Sequence, residues 1–141
     1  GVDNTLRCAK TKRGEVGMLL ALPLLYMFLN FYLSSQAGGT LPTGIDVSDK
    51  VLHFLEYAVL SLLLYISLRG GLGIRSTAAQ WLAFIIAIVY GASDEWHQSF
   101  IHGRDMSIYD WYADCLGAGT VQALVLLVRM MWRRRRGADD D

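Results

Sequence analysis

Long uncharged stretches, separated by short polar or glycine-rich breaks, divide the chain. The longest covers residues 16–36, and its apolar core VGMLLALPLLYMFLNFYL ends at Leu33. It approaches the roughly 20 residues that a helix needs to cross about 30 Å of hydrocarbon. A second run, 51–68, is apolar except for His53 and Glu56. The third, 78–92, reaches full length only by including Ser76 at one end and Asp94 to Trp96 at the other. By itself a run that short also suits a re-entrant or buried helix. The fourth, 115–132, contains Gln122 and Arg129. The pattern predicts an all-α polytopic membrane protein, a bundle of four transmembrane helices over residues 16–132. A basic segment (1–15) precedes the bundle and a charged tail (133–141) follows it.

The breaks carry turn chemistry. Gly38, Gly39 and Pro42 mark one connection, and Gly70, Gly71 and Gly73 mark the next. Asp46 or Ser48 is the expected cap of the second helix, with Asp49 in a first turn that favours negative charge. Basic residues set the expected orientation. Arg7, Lys10, Lys12 and Arg13 precede the first run, Arg69 and Arg75 lie between the second and third, and Arg133–Arg136 follow the fourth. All three groups should stay cytoplasmic. Residues 34–50 and 93–114 then fall outside, and the second stretch holds Asp94, Glu95, His97, His102, Arg104, Asp105, Asp110 and Asp114. Polar residues therefore cluster at the extracytoplasmic end. The first run also resembles a signal peptide, since basic residues precede it and Ser35-Gln36-Ala37 is cleavage-like. Its apolar core exceeds the usual length of about 7–15 residues, so a retained helix is expected.

Composition narrows the classes further. Of 141 residues 53% are hydrophobic and only 18% charged, a shift toward lipid from the roughly 25% charged residues of soluble domains. Thirteen basic and thirteen acidic residues cancel, so no net charge argues for nucleic acid. Two cysteines, Cys8 and Cys115, are too few for a disulfide scaffold or a cysteine-rich zinc site.

Three constellations carry the candidate chemistry. Asp49, His53, Glu56 and Tyr57 recur at i, i+4, i+7 and i+8 and form one helical stripe. Glu56 lies about 10 Å below Asp49 at the ~1.5 Å helical rise. A carboxylate at that depth must be paired, protonated or open to a water-filled cavity. His53 and Glu56 could meet that demand by pairing with each other or with a neighbouring helix. The stripe is expected to face Asp94, Glu95 and Gln98 across the bundle. In this second group the adjacent acids Asp94 and Glu95 repel unless a partner intervenes, and Lys50, Arg104, His53 or a divalent metal could serve. Taken alone, the group reads as a solvated helix end with Trp96 as an interfacial anchor and His97 at the surface.

In the third, Gly103 suits a sharp turn presenting Arg104, whose guanidinium can grip phosphate or carboxylate bidentately. Asp110 and Asp114 sit i, i+4 at the entry to the fourth helix, and capping accounts for one of them. Ala113 and Gly117 form a small-xxx-small pair suited to close helix packing.

With these residues in view, the chain resembles the VanZ-like family. The resemblance rests on Asp49-Lys50-x-x-His53-Phe54-x-x-Tyr57, Asp94-Glu95-x-x-Gln98, Gly103-Arg104 and Asp110-x-x-x-Asp114-x-x-Gly117. It runs from about Asp49 to Gly119 and departs at Asp114, where members often carry Asn. The family takes its name from a bacterial teicoplanin-resistance protein. The resemblance implies a small multi-pass protein of the bacterial cytoplasmic membrane, associated with glycopeptide resistance or the cell envelope, and does not supply an activity.

Two function classes follow. In the first, the outer residues act on a lipid-linked or cell-wall substrate. Asp49, Asp94, Glu95 and Asp114 are then the candidates to hold a divalent cation. Asp49, His53, Glu56, Asp94 and Glu95 are the candidate catalytic groups, with His53 or Glu56 as acid or base. Lys50, Tyr57, Gln98, Arg104, Asp110 and Asp114 would bind the ligand. In the second class, the same residues recognise an envelope precursor or partner without turnover. Membrane lipid is the expected partner in both. The orientation is testable by labelling of single-cysteine variants from the outside. A probe at Gly39 or His102 should react and one at Gly71 should not, and reaction at Gly71 would reverse the topology.

Overall fold

A computed structural model describes residues 2–36 and 49–138, with side chains described for 14–36 and 49–136. Four helices account for nearly all of it: α1 (Val2–Ser34), α2 (Asp49–Ile66), α3 (Ser76–Gln98) and α4 (Ile108–Ala138). A π-helical turn, Ser67–Gly71, extends α2. Each helix contains a segment long and apolar enough to cross a membrane: Gly14–Ser34, Asp49–Gly71, Ser76–Gln98 and Ile108–Arg136. No strand occurs among the described residues. The glycine-proline turn at 38–42, the caps Asp46 and Ser48, and the acidic tail lie outside the described residues.

The third helix is the element that the hydrophobic pattern left short. It runs through Asp94 and Glu95 to Gln98 because those residues continue its inward face instead of meeting lipid. Ala79, Ala83, Ala87 and Gly91 form a buried stripe at four-residue spacing, and Asp94, Glu95 and Gln98 extend it. The opposite face, with Trp81, Val89 and Trp96, is exposed. The fourth helix also begins earlier than its apolar run, at Ile108, so the stretch between α3 and α4 shrinks from 93–114 to 99–107. Ser107 caps it: its hydroxyl accepts the Asp110 N–H at 3.3 Å. Neither Asp110 nor Asp114 is the cap, contrary to expectation. Asp110 occupies the first turn, where the helix dipole favours it, and Asp114 lies a turn deeper.

The core is small. Tyr57, Leu60 and Leu64 of α2 meet Ala83 and Ala87 of α3 and Ala118 of α4. Large apolar side chains such as Leu24, Phe28 and Leu116 point outward instead. That arrangement suits lipid, where helices associate through small residues and interhelical hydrogen bonds. Gly117 fulfils its small-residue reading, because a Cβ there would collide with the Phe54 carbonyl of α2.

The helix α1 lies beside this core. Leu19 and Leu20 pack on Gly70 and Gly71, and Met27 offers its carbonyl to the Tyr90 hydroxyl at 2.6 Å. Near the other end Phe31 stacks on His97 with ring centroids 4.4 Å apart. Gly117→Ala should lower the melting temperature in detergent by the equivalent of about 1–3 kcal/mol, the usual cost of overpacking. Gly17→Ala, with open space around its Cβ, serves as the control. Unchanged melting in Gly117→Ala would contradict the close α2–α4 approach.

Candidate functional site

One end of the bundle collects the N-terminus of α2, the C-termini of α1 and α3, and the start of α4. The α2 stripe turns its polar residues inward because its other face, with Val51, Leu55 and Val59, is apolar and exposed. His53 occupies the centre. Its Nδ1–H donates to Asp114 Oδ1 at 2.9 Å, and the same nitrogen lies 3.9 Å from Glu95 Oε1. Its Nε2 is 4.0 Å from Asp49 Oδ2. Residues from all three of α2, α3 and α4 thus converge on one imidazole, and the expected meeting of the α2 stripe with the end of α3 is present.

Close approach makes this possible. Gly91 of α3 faces the Asp114 carboxylate, and a Cβ at Gly91 would lie 2.7 Å from Oδ2 and 3.1 Å from Tyr57 Cε1. Glu95 has a second task, since its Oε2 accepts the Ser107 N–H at 2.8 Å and ties α3 to the start of α4. Gln98 donates to Asp94 Oδ2 at 3.1 Å. Beside the cluster, Lys50 Nζ stands 3.3 Å from Asp110 Oδ1 at the more exposed rim.

A cavity of about 60 Å³ opens next to His53, lined by Asp49, Glu56, Asp94, Gln98, Arg104 and Ser34 among others. That is room for a small ion with water or for part of a polar headgroup, and too little for a whole drug-sized ligand. Several buried atoms around it have no hydrogen-bond partner among the described residues: Ser34 Oγ, Tyr57 OH, Asp94 Oδ1, Glu95 Oε1, Arg104 Nε and Asp114 Oδ2. Buried polar groups are nearly always satisfied, and an orphaned one costs about 1–3 kcal/mol. Six such atoms lie together at this end of the bundle. Gly103, at φ +83°, makes the turn that delivers Arg104. Among the described residues Arg104 forms no ion pair with Asp94, Glu95 or Asp110.

The structure brings every sequence-predicted residue to this end, with roles divided. Asp49, His53, Glu56, Asp94, Gln98 and Arg104 line the cavity. Asp114 and Glu95 sit behind His53, Tyr57 is fully buried beside them, and Lys50 with Asp110 forms the rim pair. The cation geometry differs from the expected four acids. His53, Glu95 and Asp114 place ligand atoms within 4.8 Å of one another, and so do Asp49, His53 and Asp110. Hard cations bind oxygen at roughly 2.0–2.6 Å, so either set could be spanned by one ion. Asp94 belongs to neither set, because it lies one helical position from Glu95 and faces Gln98.

The solvated-end reading of α3 is also overturned, since Asp94 and Glu95 are buried at 7% and 3% exposure. His97 is not a free surface residue: it stacks on Phe31 and shares a 3.0 Å hydrogen bond with Ser35 Oγ. Sequence reasoning missed Ser34 and the nearby buried Asn30. Their i, i+4 spacing in an otherwise apolar run was the available signal.

Four apolar-sheathed helices with a polar centre at one end define a multi-pass α-helical membrane protein. Within that class, the chain belongs to the VanZ/LLP1 family, whose match spans residues 9–129. The match extends well beyond the half of the chain that carries the motifs and takes in most of α1 and α4. An uncharacterized protein of Schizosaccharomyces pombe, C11E3.10, is 26% identical over 118 residues. The aligned region covers 84% of this chain and 66% of the yeast protein, so the chain spans under two thirds of that relative. No solved structure matches the chain.

The His53–Asp114 pair invites a double-mutant cycle. Removing one partner of a buried pair typically costs about 3–5 kcal/mol because the other is stranded. His53→Leu or Asp114→Leu alone should therefore depress melting strongly, and the double variant should recover part of the loss. Additive losses would show that the two side chains do not act as a pair.

Proposed function

We propose that the polar end binds the phosphorylated headgroup of a lipid-linked envelope compound, through a divalent cation and Arg104. The observation that carries this reading is the group of buried polar atoms without a partner in and behind one small cavity, Arg104 Nε among them. His53, Glu95 and Asp114 are the cation ligands we favour, with the His53 Nδ1 proton released when the ion takes its place. All three of these residues are buried, whereas Asp49 of the alternative set is exposed and its Asp110 stands 3.3 Å from Lys50 Nζ. Oxygen-rich sites of this kind suit magnesium, calcium or manganese. Arg104 would take two phosphate oxygens with its planar fork, and the lipid tail would remain in the bilayer beside the bundle.

The basic residues flanking the spans support placing this end on the extracytoplasmic face of a bacterial cytoplasmic membrane, with both ends of the bundle's chain inside. Resistance to a glycopeptide such as teicoplanin would then arise from handling of a cell-wall precursor. A relative in a yeast favours the part of such a precursor that all cells share, the phosphorylated lipid, over any wall-specific group. A second reading, turnover, is favoured by one contact. With Nδ1–H held by Asp114, Nε2 is left as a base in the tautomer that general catalysis uses. A membrane lipid is the partner in either case, and no nucleic acid.

The test pairs binding with stability for Arg104→Lys, Asp94→Asn and Glu95→Gln in the full chain, using manganese and undecaprenyl phosphate as probes. Manganese-dependent lipid binding should fall at least about ten-fold in Arg104→Lys and Glu95→Gln while melting stays near wild type, as lost ligand contacts do. Binding that ignores chelation would remove the cation from the reading. Melting that falls in step with binding in every variant would assign these residues to structure alone. Release of phosphate or of a longer product during the same incubations would establish turnover.

A further inference from the structure

The opposite end of the bundle carries a second built feature that does not involve the polar cavity. Arg129, Arg133 and Arg136 recur at i, i+4 and i+7 on α4 and line a hollow of about 370 Å³ with Trp132, Val128 and Ser76. Arg136 lies over the Trp132 ring at 5.9 Å. Arg134 and Arg135 are not part of this lining, and among the described residues no acid lines the hollow. Ser76 begins α3, and no side chain caps that helix end. Its first N–H groups and dipole therefore face the same space as the arginines, an arrangement that favours an anion.

An apolar groove of about 380 Å³ adjoins this hollow between α3 and α4, lined by Trp81, Phe84, Gly119, Ala123 and Leu126. The two are joined at Arg129, whose guanidinium donates to Gln80 on the groove wall. Thr77 of the groove follows Ser76 of the hollow in sequence. On the same wall, Gln122 is nine-tenths buried and its Oε1 has no partner among the described residues. A positively charged pocket that adjoins an apolar slot matches one chemical class, a molecule with an anionic head and an alkyl tail.

We infer that this α3–α4 groove holds an anionic phospholipid, with its phosphate against Arg133, Arg136 and the start of α3, and one acyl chain along Phe84, Gly119 and Ala123. Arg129, engaged with Gln80, lies at the junction of head and tail. The small side chains of Gly119 and Ala123 keep the slot open. Charge complementarity selects this occupant over a second copy of the chain, which would bring another cluster of arginines to the same place.

Native mass spectrometry of the full chain, extracted in detergent and offered equimolar phosphatidylglycerol and phosphatidylcholine, tests the inference. The wild-type chain should retain phosphatidylglycerol at least about five-fold over phosphatidylcholine, given the attraction of surface arginines for anionic lipid. Arg133→Gln with Arg136→Gln should abolish the preference. Arg134→Gln with Arg135→Gln removes the same charge beside the hollow and should preserve it. Ala123→Trp should reduce retention of both lipids by filling the slot. Glycerol phosphate, which has the head but no tail, should not displace the bound lipid at equal concentration.

Equal retention of the two lipids by the wild type would overturn the proposal. Equal effects of the two arginine pairs would do the same, because they would mark a diffuse polybasic attraction. Displacement by glycerol phosphate would remove the groove from it. All four arginines at 133–136 are exposed, so the double variants test binding without dismantling the core.

Discussion

Everything at the polar end depends on the contact between His53 and Asp114. The hydrogen bond is 2.9 Å long and joins two nearly inaccessible side chains. The pair joins α2 to α4, and Gly117 lets those two helices approach closely, its backbone lying against the Phe54 carbonyl. Gly91 does the same for α3, leaving room for the Asp114 carboxylate and the Tyr57 ring. Two glycines on two helices thus convert three separate stripes of polar residues into one centre. In a low-dielectric surrounding the arrangement is all or nothing, since a stranded partner is far more costly than a satisfied one.

The rest of the bundle continues this polar line along its axis. Gln122 donates to the Ser61 hydroxyl and carbonyl at 2.8 and 3.1 Å. Gln80 donates to the Gln122 carbonyl at 3.0 Å. Arg129 closes the series on Gln80. Without a hydrophobic driving force between helices in lipid, such hydrogen bonds and the small-residue stripe of α3 hold the elements in register. The helix α1 is attached more lightly, through Tyr90, His97 and the glycines at the end of α2. Ser34 nevertheless gives α1 a share of the cavity wall, so the site is incomplete without it.

The two ends of the bundle are chemically opposed. One gathers acids around a histidine, and the other gathers arginines around an uncapped helix start. A cation with a phosphorylated headgroup at one end and an anionic lipid at the other would each supply the charge that its surroundings lack. The first end lies within the family match. At the second end Trp132, Arg133 and Arg136 lie beyond residue 129, where the family match stops, while Ser76, Val128 and Arg129 lie within it.

How much of this architecture is legible in the sequence follows from what one helix can reveal by itself. Four apolar runs and the i, i+4, i+7 stripe of Asp49, His53 and Glu56 are readable because helical periodicity and the length of a membrane span are local properties. So is the segregation of charge between the ends, which needs only chain order. The extension of α3 through Asp94 to Trp96 is offered by the sequence as one option but not decided by it, because those residues are tolerable at that depth only when other helices bury them. Nor is the identity of the acids around His53: Asp94 and Glu95 are neighbours in the chain, yet one faces Gln98 and the other faces the imidazole. The capping role of Ser107, the clearance at Gly91 and the packing of His97 on Phe31 likewise depend on distances between helices. Spacing along one helix determines which residues share a face, and only the packing of that face against others determines which atoms meet.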